Sequence, residues 1–146
     1  MFRGQYDHTI DPKGRVSIPS RFREVLSATS DSRLVITPFE DHLMAYPFEE
    51  WQVFEEKMAS LSFVKDEEAR FVRYLISSAS DCEVDKQGRV LIPPNLREYA
   101  GLTNEVVLAG VLKKFEIWDK RRWIEDGKKI QENFGSIKEA LAGLGF

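Results

Sequence analysis

Two aspartates, Asp11 and Asp85, are each followed four residues later by an arginine, Arg15 and Arg89. A carboxylate pair could do acid–base chemistry, but an arginine at this spacing favours the ionised form, and a general acid needs the protonated one. The pattern suits recognition better. Asp at the first position and Gly14 or Gly88 at the fourth suit a type I turn, and Pro12 pre-sets the second position of the first copy. In this pattern Asp11, Gly14, Asp85 and Gly88 shape the turns. The arginine leaving each turn offers a planar five-donor head to a phosphate or a guanine edge, and Lys13 and Lys86 add charge beside it. A two-stranded ribbon fits the major groove of DNA, so a basic hairpin tip is a candidate reader.

Other chemistry finds little support. His8, His42 and Cys82 are the only histidines and the only thiol. His8 and Cys82 occupy equivalent places in the repeat described below and would have to meet to form a nucleophile–base pair. The plainer expectation for Cys82 is a small buried or half-buried strand residue. No CxxC or HxxxH spacing and no glycine-rich phosphate loop occurs. No catalytic residue, metal or cofactor is therefore expected.

The elements that position these residues come in duplicate. Aligned at an offset of 74, Asp7–Glu24 and Asp81–Glu98 are identical at nine of 18 positions, including Asp11/Asp85, Gly14/Gly88, Arg15/Arg89, Pro19/Pro93 and Arg23/Arg97. Unrelated segments would share about one. Each copy reads as a short strand ending at Ile10 or Val84, the turn, a strand from Val16 or Val90, and a proline that opens a helix over 21–26 or 95–100. A second hairpin follows: Leu34-Val35-Ile36 past Pro38 and Asp41 to Leu43–Tyr46, and Val106–Ala109 through Gly110 and Lys113-Lys114 to Phe115–Trp118. Helices then begin at Glu49-Glu50-Trp51 and Arg121-Arg122-Trp123, aligned at an offset of 72. Apolar stripes mark the linking helices (Trp51, Phe54, Met58 and Leu61, then Phe71, Val72 and Leu75), and a last helix covers 130–144.

Composition bounds the class. The 146 residues are 42% hydrophobic and 31% charged, with a mean hydropathy of -0.35, as in a soluble globular protein with a real core. No apolar run reaches a membrane span, and the first seven residues do not form a secretory signal, so a cytoplasmic location is expected. Net charge is -3, yet the acidity is concentrated: nine carboxylates between Phe39 and Ala69 face only Lys57 and Lys65. A basic face elsewhere is thus compatible with an acidic whole. A second basic set, Lys113-Lys114 and Lys120-Arg121-Arg122, reads as a solvated face or as a complement to the acidic stretch of a neighbouring copy.

The opening Met1-Phe2-Arg3-Gly4 and the doubled Asp-x-x-Gly-Arg-Val-x-Ile-Pro resemble the MraZ family of bacterial transcriptional regulators, encoded at the head of the division and cell wall gene cluster. The resemblance covers nearly the whole chain. It implies an α+β, mainly β fold: a duplicated AbrB-like swapped-hairpin β-barrel decorated with helices. The repeats would span 5–48 and 79–122, joined by linking helices over 49–78 and followed by a C-terminal helix over 123–146. It further implies a ring-shaped homo-oligomer on double-stranded DNA, at direct repeats in the promoter of its own operon and hence at the nucleoid, with no membrane contact. Arg15, Lys13, Arg3, Arg89 and Lys86 are the DNA contacts it implies. Repression is the default sign of regulation. A different class of function, an oligomeric scaffold or antitoxin-like interaction module, would leave those arginines dispensable.

Overall fold

The computed structural model describes residues 1–61 and 64–145. Residues 62 and 63, inside the expected linking segment, and residue 146, at the end of the expected last helix, lie outside them. The first repeat contains β1 (Gln5–Thr9), β2 (Arg15–Ser17), α1 (Ser20–Ser27), β3 (Arg33–Phe39) and β4 (His42–Pro47). Next come α2 (Phe48–Ala59) and α3 (Asp66–Ser77). The second repeat contains β5 (Ser80–Glu83), β6 (Arg89–Leu91), α4 (Pro94–Ala100), β7 (Glu105–Val111) and β8 (Lys114–Asp119). The chain ends in α5 (Lys120–Glu132), α6 (Phe134–Ala140) and a short 3-10 turn. By residue count the helices exceed the strands, while the core is built on the strands.

The repeats do not fold side by side; they exchange strands. Six strands form one sheet in the order β1-β7-β8-β4-β3-β5, and β2 and β6 form a separate ribbon. The first strand of each repeat thus pairs with the third strand of the other: β1 with β7, and β5 with β3. Equivalent residues meet across the two central pairings, Val16 opposite Val90 and Met44 opposite Glu116, so a pseudo-twofold axis passes through both. Single bridges, Ile10 to Val16 and Val84 to Val90, connect the outer strands β1 and β5 to the ribbon.

Period-two burial sorts the side chains. Leu34 and Ile36, Leu43 and Ala45, Val106 and Leu108, and Phe115 and Ile117 enter one core with Val16, Val90, Ile18 and Ile92. Phe22 of α1 lies at its centre, 5.0 Å from Phe115, 5.3 Å from Phe2 and 5.2 Å from Tyr6, ring centre to ring centre. The opposite face of β3 and β4 (Val35, Met44, Tyr46) is covered by Trp51 of α2 and Leu75 of α3. These two strands are therefore apolar on both faces rather than alternating.

Several local expectations need revision. Pro38 belongs to β3, and the reversal falls at Glu40, whose φ is 54°. Gly110 and Lys114 are strand residues, and Leu112, with φ 66°, makes the turn between them. Gly110 is required by close approach: a Cβ there would collide with the backbone of Phe2 and Arg3, and its N–H donates to the Gly4 carbonyl at 2.8 Å. The last helix breaks after Glu132, Leu61 does not join the packed stripe, and Phe71 stays largely exposed with its ring edge-on to Phe39 at 6.4 Å. Helices α5 and α6 carry exposed apolar residues, among them Ile124, Ile130, Phe134 and Ile137. No helix among the described residues is long and apolar enough to cross a membrane.

Candidate functional site

Each Asp-x-x-Gly-Arg segment folds into the same hydrogen-bonded knot. The Gly14 N–H donates to the Asp11 carbonyl at 2.9 Å, and the Asp11 N–H to the Arg15 carbonyl at 3.0 Å. The Asp11 carboxylate then accepts from the backbone of Lys13 and Arg15, at 3.0 and 2.9 Å, and from Arg15 Nε at 2.7 Å. The second copy repeats this: Asp85 accepts from the backbone of Gln87 and Arg89, both at 2.9 Å, and from Arg89 Nε at 3.2 Å. Gly14 and Gly88 follow with φ of 91° and 78°, a conformation that costs glycine little. The Arg15 backbone N–H holds the Asp11 carboxyl below its ordinary range against an opposing push from partial burial, and the Arg89 N–H does the same for Asp85. Both aspartates are thus set as acceptors rather than acids, which is what their spacing predicts.

The ribbon brings the two knots together. Val16 and Val90 point into the core, so the alternate positions Arg15, Ser17, Arg89 and Leu91 face outward, with Leu91 and Ser17 exposed. Arg15 stands opposite Leu91 and Arg89 opposite Ser17. At the rise and spacing of paired strands the two arginine Cα atoms are roughly 8 Å apart. Symmetric bonds fix the ribbon to the turns, from the Ile18 N–H to the Gly88 carbonyl at 2.8 Å and from the Ile92 N–H to the Gly14 carbonyl at 2.9 Å. Each guanidinium is tied to its aspartate through Nε, and among the described residues its terminal nitrogens have no partner. Lys13 and Lys86 are exposed on the turns.

Arg3 does not share this surface. It lies at the far end of β1, beside Gly110, roughly 25 Å of extended chain from Asp11. The second basic set is largely engaged within the chain: Lys113 with Glu50, Lys114 with Glu116, Lys120 with Asp7, and Arg122 with the carbonyls of Asp41 and Tyr99. The Cys–His pair is not formed. His8 is on β1 and contacts the Ser17 carbonyl through Nδ1 at 2.6 Å, while Cys82 is on β5 at the other edge of the sheet. Burial, with Asp81 adding to it, pushes the Cys82 thiol up to about 11, the reverse of an activated nucleophile.

Spacing alone misses one pair of residues. Arg97 of α4 reaches across to the first turn, where a Cβ on Gly14 would lie 2.6 Å from its Cζ and Nε. Arg23 of α1 does the same to the second turn, with Nη1 at 2.6 Å from a Cβ on Gly88. Their signal in the sequence is that both survive in the duplication. The contact runs between repeats, so no local pattern reveals it.

The chain matches, over residues 1–74 and again over 75–143, the family described as "MraZ protein, putative antitoxin-like". The protein named transcriptional regulator MraZ of Syntrophobacter fumaroxidans is 51% identical over 99% of this chain and 96% of its own length. The proteins of the same name from Desulfitobacterium hafniense (strain Y51) and Moorella thermoacetica are 46% and 44% identical, over 99% and 97% of this chain and 99% and 96% of their own lengths. The doubled turn, the exchanged strands and these full-length matches lead to one conclusion: the chain belongs to the MraZ family.

Proposed function

We propose that this chain is a transcriptional regulator, not an enzyme, that reads DNA with the outward face of the β2–β6 ribbon. The observation that carries the reading is the pair of carboxylate-anchored arginines, Arg15 and Arg89, roughly 8 Å apart on one narrow exposed ribbon. A carboxylate on Nε fixes the plane of the guanidinium and leaves the terminal nitrogens for base edges or phosphates. Lys13 and Lys86 supply the long-range attraction that the acidic whole lacks. The names of the relatives agree with this role.

One ribbon makes few contacts, so a ring of copies on repeated boxes in the promoter of its own operon would gain roughly 10²–10⁴ in avidity. The exposed apolar positions on α5 and α6 support self-association. Occupying a promoter in this way represses by excluding polymerase, at the nucleoid in the cytoplasm. Arg3, far from the ribbon, has at most a place on DNA curving past the other end of β1.

The test is fluorescence anisotropy with DNA from upstream of the gene, against scrambled DNA, over a salt series. Wild type binds its own DNA preferentially, and folded Arg15→Ala and Arg89→Ala proteins lose that preference. Equal weak binding to both DNAs, unmoved by either substitution, refutes the reading and favours the scaffold.

A further inference from the structure

Arg15 and Arg89 have their carboxylates. Arg23 and Arg97 have none: among the described residues neither guanidinium is within 4.0 Å of an acidic side chain or hydrogen-bonded to any group. Arg97 is half-buried, and its Nε is shut off from solvent with no acceptor. An unmet buried donor on a cation is costly, and the fold keeps one on Arg97, while Arg23 at the related place is exposed and equally without an acceptor. Each belongs to one repeat yet lies over the turn glycine of the other, so each knot is flanked by its own anchored arginine and by an uncommitted one lent from across the axis. At the second turn Arg23, Ser27, Ser30 and Lys86 line an open cleft of about 380 Å³. Asp85 lies there too, but it is occupied by Arg89 and the backbone N–H groups of the turn.

Ser27 gives its hydroxyl proton to the Glu24 carbonyl and Ser30 gives its own to the Glu49 carboxylate, so the seat this cleft offers a singly charged oxyanion is its pair of cations, Arg23 and Lys86. Because it sits beside the ribbon rather than on its outward face, it falls where the backbone of a bound duplex passes. We propose that Arg23 and Arg97 bind DNA backbone phosphates on either side of the ribbon, each completing the turn of the other repeat. The inference rests on the DNA-binding reading above and assigns the flanking contacts that position the ribbon, whereas Arg15 and Arg89 face the bases. The shared geometry also explains why a side chain is excluded at Gly14 and Gly88: the space belongs to the guanidinium.

Phosphate contacts are counted by salt. Each one removed lowers the slope of log K against log salt by about 0.9 on duplex DNA, whatever the sequence. Arg23→Gln and Arg97→Gln are each expected to reduce the slope by about 1 for every chain seated on the DNA, and together by about 2, on promoter and scrambled DNA alike, while the preference for promoter DNA stays. Arg15→Ala, in contrast, abolishes the preference. Arg23 is exposed, so Arg23→Gln reads out the inference even if Arg97→Gln fails to fold. A wild type that binds its promoter with a slope unchanged by Arg23→Gln overturns this inference and leaves the DNA-binding reading standing. So does loss of affinity at constant slope, which would make these residues structural clamps. A wild type with no preference for promoter DNA overturns both.

Discussion

Alanine at Gly14 is predicted to destabilise the protein through two separable effects, one in the backbone and one in the other repeat. Gly14 has φ 91°, and a residue with a Cβ pays about 1–2 kcal/mol in the left-handed region. The new methyl would also sit 2.6–2.8 Å from three atoms of the Arg97 guanidinium. That group is the end of a flexible side chain, so it can leave, at about 1 kcal/mol for an unfavourable rotamer and lost packing. The expected total is about 2–3 kcal/mol. In an Arg97→Ala background only the backbone effect remains, about 1–2 kcal/mol, giving a coupling of about 1 kcal/mol between residues on different repeats. Urea unfolding of the four proteins of the cycle, at one fixed protein concentration, measures it, because self-association would otherwise shift the midpoints. Gly88→Ala with Arg23→Ala is the symmetric control. If Gly14→Ala costs the same with and without Arg97, the guanidinium does not occupy that space and the composite turn is refuted.

Gly110→Ala is expected to be worse than Gly14→Ala, because its Cβ meets the backbone of Phe2 and Arg3 rather than a movable side chain. A loss above about 3 kcal/mol, with faster amide exchange at Phe2 and Leu112, is the expected result, and a neutral substitution would contradict the close approach. Glu116 gives a pH prediction: burial pushes its carboxyl up, but hydrogen bonds from His42 and Trp118 and the charge of Lys114 prevail and bring it to about 2 from 4.5. A carboxyl lowered by folding adds stability above its unfolded value, and that stability is lost as pH falls through the folded one. Acid titration followed by tryptophan fluorescence should show this loss, up to roughly 3 kcal/mol, between pH 4.5 and about 2. Glu116→Gln should flatten that part of the curve, and an unchanged curve would refute the assignment.

What the sequence makes legible is what is local. Aspartate, glycine and arginine at fixed offsets dictate the turn by hydrogen bonds that span four residues, and Pro19 and Pro93 stand at the N-caps of α1 and α4, where a missing N–H leaves no helical bond unmade. The duplication even foretells a twofold axis. Gly110 looks like a turn glycine until the N-terminal segment is laid against it, and Pro38 looks like a breaker until β3 is seen to run on to Phe39. Lys113, Lys114, Lys120 and Arg122 look available for partners until Glu50, Glu116, Asp7 and Asp41 are placed beside them. Arg23 and Arg97 are hidden for the same reason. Their partners belong to the other half of the chain, and spacing carries no information about such contacts.

The exchange of strands has a consequence during synthesis. When the first repeat has left the ribosome, the β3–β4 hairpin can form, but β1 must wait for Glu105–Val111 before it has a pairing partner, and Phe2 and Phe22 must wait for Phe115. A half-made chain is therefore a sticky half-shell, with an apolar interior and an unpaired edge, the kind of intermediate that aggregates or swaps. Two such halves from neighbouring ribosomes on one message could close on each other. Fusing the repeats guards against this, since the α2–α3 tether keeps the correct second half at a local concentration in the millimolar range once it is made. Slowing translation between the repeats should then raise the yield of swapped dimers.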